Sequence, residues 1–448
     1  MKISYKSNIN DAINEILRHF LLILPLKMKV ELFIARKLKL GNGKKSASPS
    51  LNVATIGIVL AILIMILSVV IVLGFKSEIT HKLYSINPHL KVSNAGLGMD
   101  DNYSTVNAHE VFNGIQSDSL FFGKVQSMSL IAEKPAILKT DEDFKGVMYR
   151  GVDDGYDWNY LSACLTEGRL PNLADTADTR EIIVSKKLCD QLRLKVGDKL
   201  FSYFIDNKVK ARRSIIVGIY NTEFDAFDKS YIIGNIKLLQ SVNDWNGFTG
   251  NYVGVNLRNT DNLSGDAQQL YAALAKSTIE HNYPTLHTVS TITQNNMSYF
   301  AWLSMLDMNV IIILVLMIIV SSFTLISALL MIILERIRMV GVLKSLGCSN
   351  GMIRKIFIYL TGKLIIRAII IGNVLGLGLA LIQKYFHIIK LSSESYYMSY
   401  VPIEIDATAL LLLNLGIVVM SYIALIGPSH IVSTIKPTTT MKFDSSTG

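Results

Sequence analysis

The sequence predicts a membrane protein with four transmembrane α-helices and a large α+β extracytoplasmic domain between the first and the second. Three observations predict it: four long apolar segments, one insert over residues 76–307 between the first two, and an uneven distribution of Lys and Arg. Charged residues make up 18% of the chain, below the roughly 25% of typical soluble domains. Half of the residues are hydrophobic, which excludes a disordered chain.

The four apolar segments are long enough to cross a bilayer, which takes about 20 apolar residues in a helix. Three contain no Asp, Glu, Lys or Arg, whereas the third in chain order contains Lys363 and Arg367. Long basic side chains can extend to a nearby interface, so we place this pair at the cytoplasmic end of its segment. The predicted spans are 51–75, 308–334, 356–383 and 407–435.

The distribution of basic residues predicts the orientation. Residues 1–50 contain 10 basic and 3 acidic side chains, and the link 335–355 contains 5 and 1. The loop 384–406 contains 2 basic and 3 acidic residues, and the insert 76–307 contains 23 and 27. Because Lys and Arg accumulate on the cytoplasmic side, we place both termini, with the tail 436–448, and the link there. The net charge of +9 then reflects membrane orientation rather than nucleic-acid binding.

The N-terminal region divides into two parts. Residues 1–27 form an uncertain N-terminal extension, because their apolar stretch is too short to span and no signal-peptidase site follows it. In residues 28–45, apolar Val30, Phe33 and Leu38 alternate with Lys and Arg, which indicates an amphipathic interfacial helix. A plain basic flank of the first span is the alternative.

The insert is long enough for one large or two smaller α+β domains. Its segments 76–95 and 285–306 are expected to continue the first two spans as stalks. Residue patterns predict the following elements. Strands are expected at 147–152, 181–184, 200–205, 215–220 and 252–257, and helices at 185–194 and at 264–280 with Ser264 as the cap.

Catalytic and ligand-binding motifs are not found in the sequence. His109-Glu110 begins like a zinc-protease motif, but position 113 is Asn, so we interpret it as a surface pair. The acidic groups Asp141–Asp143 and Asp153-Asp154 are interpreted as solvated loop charges. The three cysteines contain no CxxC pair, and whether Cys164 and Cys189 pair stays open. We therefore predict no catalytic, cofactor-binding or metal-ligating residue.

Small residues at four-residue spacing in the spans indicate close helix packing. They are Gly57 with Ala61 in the first span, and Gly372, Gly376 and Ala380 in the third.

The link 335–350 is the most informative segment. Ile337, Val340 and Leu343 lie three residues apart among charged residues, Gly347 is placed to end a helix, and Asn350 to cap the next one. A short amphipathic helix between two spans can transmit force from a cytoplasmic partner. Composition alone leaves this function and a simple basic loop equally open.

The same segment resembles a known family. Glu335-Arg336, followed by Val340-Gly341-Val342-Leu343-Lys344-Ser345-Leu346-Gly347, is similar to the signature E-[KR]-x(3)-[IV]-G-[IV]-L-[KR]-[ST]-[LM]-G of the FtsX/MacB-type ABC permeases. Within that family it most resembles membrane subunits of lipoprotein-releasing (Lol) transporters. Shorter blocks extend the resemblance over about 28–443: 33–37, 73–75, 150–153, 194–198, 217–220 and 435–437.

The resemblance implies an FtsX-like permease domain at about 307–437, a MacB-like periplasmic core domain with stalks at 76–307, and a bacterial inner-membrane location. Two permease copies or paralogues would pair with a cytoplasmic ABC ATPase dimer, which uses the ATP, while this chain binds no cofactor. The residues expected to couple the ATPase are Glu335, Arg338, Gly341, Leu343, Lys344 and Gly347.

In the Lol branch, the substrate is a lipoprotein that enters from membrane lipid and passes to a periplasmic carrier. Contacts with the lipoprotein are expected at Ile66–Leu73 and Met308–Val315. Alternatives are a mechanotransmission permease acting in efflux or on periplasmic effectors, and a membrane-anchored sensor without transport.

Overall fold

The computed structural model describes residues 49–96, 105–140, 143–174, 180–206, 208–392 and 396–429. The predicted extension 1–27, the interfacial helix 28–45 and the tail 436–448 lie outside these residues. The described chain separates into two compact units. One contains Ile71–Asp307 and Gln383–Glu404, and the other contains Met308–Ile382 with the described parts before Ile71 and after Glu404.

Four of the described helices are long and apolar enough to cross a membrane. They are α1 (Pro49–Ile86), α10 (Met297–Glu335), α12 (Asn350–Phe386) and α13 (Ala407–Ser429), with a short helix α11 (Ile337–Ser345) between the second and third. At 1.5 Å per residue, the 38 residues of α1 extend about 57 Å, well beyond the hydrocarbon core of about 30 Å. The chain therefore continues as helix past the apolar part of each of the first two spans.

An α+β domain lies between α1 and α10 in the sequence. Its strands are β1 (Leu90–Asn94), β2 (Val106–Asn107), β3 (Val125–Lys139), β4 (Phe144–Val152), β5 (Leu165–Gly168), β6 (Glu181–Ser185), β7 (Lys199–Ile205), β8 (Val209–Tyr220), β9 (Tyr231–Asn235), β10 (Thr249–Gly250), β11 (Tyr252–Leu257) and β12 (His287–Thr291). Its helices are α2 (Ala108–Ser117), α3 (Ser119–Phe122), α4 (Asn159–Ala163), α5 (Lys186–Leu192), α6 (Asp225–Asp228), α7 (Ile236–Asn243), α8 (Leu263–His281) and α9 (Ile292–Asn295).

A ten-stranded sheet organises this domain. Its order is β12-β1-β11-β3-β4-β9-β6-β8-β5, with β7 joining β3 and β8. The long antiparallel pair β3 and β4 runs through its centre, from Ile131 opposite Val152 to Lys139 opposite Phe144. The fully buried Tyr149 and Phe204 contribute to the core on one face of these strands.

All five predicted strands of the insert are present, and β11 has the predicted bounds. The central strand β3 was missed because Glu133, Lys134 and Pro135 interrupt its apolar pattern. Proline removes one ladder donor and usually argues against a central strand. Here Glu133 instead pairs with Arg150 of β4, which keeps the polar residue inside the sheet.

Several local predictions were wrong. Ser264 does not cap α8, since the cap residue is Asn262 and it makes no side-chain capping bond. His109-Glu110 is not a surface pair, because Glu110 is buried and its carboxylate lies 3.9 Å from Nε2 of His287. The sequence left open whether Cys164 and Cys189 pair; both thiols are free, as is that of Cys348, so they do not pair. Asp141 and Glu142 lie outside the described residues.

Candidate functional site

The predicted coupling segment forms a helix separated from its neighbours by defined breaks. The long helix α10 ends at Glu335, and Arg336 leaves helical geometry with φ −115° and ψ 18° before α11 begins. The amide of Val340 then donates to the carbonyl of Arg336 at 3.1 Å, which closes the first turn of α11. A break of this kind makes α11 a separate nine-residue element rather than the end of a span.

Gly347 ends α11 as predicted. The amide of Cys348 donates to the carbonyl of Leu343, and that of Gly347 to Lys344, both at 3.0 Å. These two bonds define a Schellman motif, whose C′ residue takes a left-handed conformation. Gly347 has φ +88°, and a Cβ built on it would meet nothing within 4 Å. The position therefore needs glycine for its backbone conformation and not for lack of space.

The next helix, α12, is capped by Ser349 and not by Asn350. The amide of Met352 donates to Oγ of Ser349 at 3.3 Å, and the amide of Ile353 to its carbonyl at 3.2 Å. Asn350 is the first helical residue. Both residues favour capping positions, so the pattern located the helix start to within one residue.

The two faces of α11 differ in exposure. Val340 and Gly341 are buried, while Leu343 and Lys344 are half-buried. Glu335 and Gly347 are exposed, and the side chain of Arg338 lies outside the described part of the chain. The exposed apolar residues are Val342 and Leu346, 50% and 75% accessible. Sequence reasoning missed this pair, although its i, i+4 spacing is a signal for a shared helix face.

The small residues of the third span lie against the first. A Cβ on Gly372 would be 2.8 Å from Cγ2 of Ile62, and one on Gly376 would be 3.2 Å from Cδ1 of Ile66. Absence of side chains at these two positions lets α12 and α1 approach closely. The remaining small residues are also placed at packed positions: Gly57 faces Thr324 of α10, and Ala61 and Ala380 are buried.

Helices α12 and α13 are joined by a reciprocal amide pair. Nδ2 of Asn373 donates to Oδ1 of Asn414 at 2.7 Å, and Nδ2 of Asn414 donates back at 3.1 Å. Each amide also donates to the carbonyl four residues earlier in its own helix. Paired amides between apolar helices fix the register of the two helices.

Within the α+β unit, Arg150 connects the end of α1 to the sheet. Its guanidinium donates to the carbonyl of Ile86, the last residue of α1, at 3.0 Å and to Glu133 at 2.7 Å. The Arg150 side chain is buried and lies over the ring of Tyr231, with its Cζ 4.6 Å from the centroid. Glu133 thus neutralises the charge of Arg150. The guanidinium also donates to a carbonyl at the end of α1 that has no partner within the helix.

The loop between α12 and α13 also packs on α1. The buried Nζ of Lys82 donates to the carbonyl of Tyr397 at 3.1 Å and lies 3.8 Å from Glu223. Oγ of Ser399 donates to Glu223 at 2.8 Å. A Cβ on Gly74 would be 2.4 Å from the carbonyl oxygen of Pro402, so the two backbones are in contact. We call residues 396–404 the clasp.

Aromatic rings extend this contact. The ring of Tyr397 lies 5.2 Å from Phe224 and 6.2 Å from Trp302, which belongs to α10. Lys76 of α1 and Asp307 of α10 lie close in sequence to Lys82 and Trp302, and they form an ion pair at 2.7 Å. The outer parts of α1 and α10 are therefore linked to each other, to the clasp and to the sheet domain. The contacts of Lys82 with Tyr397 and of Glu223 with Ser399 join residues 315 and 176 positions apart, so no local pattern could predict them.

Two carboxyl groups of the domain, the buried Asp228 and the half-buried Asp153, have raised pKa values. Burial raises the pKa of Asp228 to about 6, although it accepts hydrogen bonds from the amide and hydroxyl of Thr222. Burial also raises the pKa of Asp153 to about 6. Its carboxylate accepts from the amides of Leu130 and Gly155, which is a structural arrangement within the sheet domain. Among the described residues, no group of His, Cys, Asp and Glu could hold a metal ion.

The amino-acid sequence of this chain is similar to those of known membrane proteins. Residues 311–437 match the FtsX-like permease C-terminal family. The lipoprotein-releasing system transmembrane protein LolC of Xylella fastidiosa (strain 9a5c) is 24% identical over 407 residues, covering 87% of this chain and 92% of that protein. LolC of Neisseria meningitidis serogroup B is 23% identical over 424 residues, covering 90% and 96%.

Two solved structures are similar to part of this chain. The extracellular domain of the noncanonic ABC-type transporter YknZ from Gram-positive bacteria matches with a TM-score of 0.33 and 13% identity, covering 45% of this chain and 99% of that one. The periplasmic region of MacB from Actinobacillus actinomycetemcomitans has the same score and identity, covering 47% and 92%. The family match and the LolC relatives confirm the resemblance of this chain to the FtsX/MacB-type ABC transporter permeases.

Proposed function

We propose that this chain is the permease subunit of an ABC transporter that extracts lipoproteins from the bacterial inner membrane and passes them to a periplasmic carrier. The observation that carries the proposal is similarity to lipoprotein-releasing LolC proteins over 87% of the chain. The α+β domain is periplasmic and both termini are cytoplasmic in this proposal, in agreement with the distribution of Lys and Arg. A separate cytoplasmic ATPase hydrolyses the ATP.

The short helix α11 is the proposed ATPase contact. Its buried Val340 and Gly341 anchor it, while Val342 and Leu346 offer an exposed apolar pair of the kind that fills a pocket on a partner. The rigid Schellman turn at Gly347 fixes α11 relative to the start of α12. ATP-driven movement of the partner would displace α11 and the helices on either side of it.

The outer contacts are the proposed route by which this movement reaches the periplasmic domain. Arg150 holds the last carbonyl of α1 against the sheet, and Lys82 holds the clasp against α1. Both contacts are buried and charge-assisted, which makes them stronger than neutral hydrogen bonds. Substrate would enter from membrane lipid beside Ile66–Leu73 and Met308–Val315.

Depletion in the native host tests the proposal. The chain is depleted and replaced by the wild type, by Val342→Asp/Leu346→Asp, or by the control Leu120→Asp/Ile279→Asp, which changes two exposed apolar residues of the sheet domain. We expect lipoproteins to accumulate in the inner membrane after depletion and with the α11 variant, and to be released with the control. Inner-membrane lipoprotein is measured after membrane fractionation.

Other outcomes would favour the other functions. Normal lipoprotein release after depletion, with a defect in efflux or in a periplasmic effector, would reject lipoprotein transport and favour a mechanotransmission permease. If, in addition, no ABC ATPase copurifies with the chain, the protein would instead be a membrane-anchored sensor or binding protein.

A further inference from the structure

Helix α12 carries a basic pair on an exposed apolar face. Lys363 and Arg367 lie one helical turn apart, and both are exposed. Ile366, Ile370 and Val374 continue the same face and are 60%, 58% and 66% accessible. Residues at i, i+3, i+4, i+7 and i+11 share one side of a helix. The face therefore has a cationic end followed directly by an apolar surface.

The basic pair has no charge partner in the described chain. Neither side chain forms an ion pair or hydrogen bond there. In the described part of the helical unit, the carboxylates are Glu335 and Asp406. In the same stretches of the sequence, basic residues outnumber these two carboxylates. A charged side chain on an apolar helix face is costly unless it meets an anion or water, so at a membrane surface the pair is suited to bind an external anion.

The position of the pair along α12 places that anion at the membrane interface. The uncharged remainder of the helix, Ala368–Gln383, extends only about 24 Å at 1.5 Å per residue. A hydrocarbon core of about 30 Å needs about 20 residues, so the span must begin close to Lys363. Arg367 then lies within the first turn of the span, where its guanidinium reaches the level of lipid phosphates.

We propose that Lys363 and Arg367 form a binding site for the phosphate of an anionic phospholipid, whose acyl chains cover Ile370 and Val374. The planar guanidinium binds phosphate oxygens in a bidentate manner, and the ammonium adds a compact second charge. A phospholipid supplies an anionic group and an apolar chain at the spacing that this face offers, whereas an acidic protein surface would leave the isoleucines uncovered. Assignment to the cytoplasmic leaflet rests on the orientation in the proposed function.

Native mass spectrometry of the full-length protein in detergent tests the site. The protein is titrated with dioleoyl phosphatidylglycerol or with dioleoyl phosphatidylcholine. We expect Lys363→Gln/Arg367→Gln to weaken phosphatidylglycerol binding by about tenfold or more, because basic residues at a membrane surface each contribute to anionic lipid attraction. Arg367→Lys keeps the charge but loses the bidentate geometry, so intermediate binding is expected.

The matched control removes two charges from the opposite end of the same helix and the loop that follows. Lys384→Gln/Lys390→Gln is expected to bind phosphatidylglycerol as the wild type does. Equal phosphatidylglycerol binding by the Lys363/Arg367 variant and the wild type would overturn the proposal. So would equally tight binding of soluble glycerol 3-phosphate, which would indicate a site for a free anion.

A third result would also overturn it: loss of self-association or of the copurified ATPase by the double variant in lipid-free detergent, without a change in lipid binding. The pair would then contact protein. Because the titration needs neither ATPase nor lipoprotein, its failure would leave the proposed transport function standing. Conversely, failure of the lipoprotein-release experiment would leave the lipid site standing.

Discussion

Nη1 of Arg150, a buried residue of the central sheet, donates to the carbonyl of Ile86 at 3.0 Å and so ties the last residue of α1 to β4. The same guanidinium pairs through Nε with Glu133 at 2.7 Å. One side chain thus connects the end of α1 to the centre of the sheet. This contact gives a direct physical link for the proposed force transmission.

Replacing Arg150 by Met should destabilise the sheet domain strongly. It would leave the Glu133 carboxylate unpaired and the Ile86 carbonyl without its donor, a loss of about 3–5 kcal/mol. Glu133→Gln in the same chain should restore part of the loss. All three tryptophans, Trp158, Trp245 and Trp302, lie in the unit that contains the sheet, so tryptophan fluorescence during thermal unfolding reports on it.

The control for this prediction is Lys210→Met. Lys210 pairs with the exposed Asp244 at 2.8 Å, and exposed pairs contribute little to stability. An equal fall in unfolding temperature for the Arg150 and Lys210 variants would contradict the role given to Arg150.

Gly347→Ala should weaken ATPase coupling. Alanine in the left-handed conformation costs about 1–2 kcal/mol, and the strain falls on the turn that joins α11 to α12. Gly351→Ala is the matched control, because it also has free space around its Cβ but lies in regular helix. We expect less copurified ATPase, or ATP hydrolysis that no longer responds to lipoprotein, with the first variant alone. Equal behaviour of the two alanines would show that the turn is not important for coupling.

Gly74→Ala should displace the clasp. The new Cβ would lie 2.4 Å from a backbone oxygen of Pro402, which cannot move as a side chain can. Gly378→Ala introduces the same methyl group into α12 where nothing lies within 4 Å. We expect faster proteolysis of the clasp and altered Trp302 fluorescence only in the Gly74 variant. Unchanged protection of the clasp in that variant would contradict the contact.

Gly372→Ala should loosen the packing of α12 on α1, since its Cβ would meet Ile62 at 2.8 Å. The loss in Gly372→Ala/Ile62→Ala should be smaller than the sum of the losses of the two single variants, because the second change removes the opposing Cγ2. The measurement is the thermal stability of the full chain in detergent. If the two changes lower stability additively, the two residues do not interact.

The stability of the sheet domain should fall as pH rises from about 4 to 6. Asp228 has a raised pKa of about 6 in the folded chain, so the folded state retains a proton that the unfolded state releases near its ordinary value. The stability is fully present below the unfolded pKa and is lost as pH rises through the folded one. A shift of this size corresponds to about 3 kcal/mol.

The variant Asp228→Asn should remove its share of this pH dependence in a tryptophan-fluorescence unfolding series and leave a smaller slope from Asp153, whose pKa burial also raises to about 6. Asp261→Asn, at an exposed position of the same domain, should keep the slope of the wild type. Retention of the full slope in the Asp228 variant would assign the effect to another group.

Local sequence patterns predicted what local interactions determine. Gly347 was correctly identified as the end of α11, since the bonds that need it lie within six residues. Asn350 was predicted as the cap of α12, whereas Ser349, one residue earlier, caps it; both residue types favour that position. Strand β3 was not predicted because Glu133, Lys134 and Pro135 interrupt its apolar pattern. The strand accommodates Glu133 because Arg150 of β4 lies opposite and pairs with it, which the local sequence does not show.

Local sequence patterns could not predict the contacts that are proposed to transmit force. Lys82 and Tyr397 are separated by 315 positions, and Glu223 and Ser399 by 176. Nothing in the sequence around Lys82 distinguishes a buried lysine from a solvated one until the fold places Glu223 and the clasp beside it. The sequence indicates no individual role for Arg150 or Gly74, which belong only to short blocks that resemble the family.

The central claim, that α11 couples a partner ATPase to lipoprotein release, is tested most directly by reconstitution. The chain and its copurified ATPase are placed in proteoliposomes loaded with a lipoprotein, and the lipoprotein released into solution after ATP addition is measured. We expect ATP-dependent release by the wild type and by Leu120→Asp/Ile279→Asp, and none by Val342→Asp/Leu346→Asp. Undiminished release by the α11 variant would contradict it.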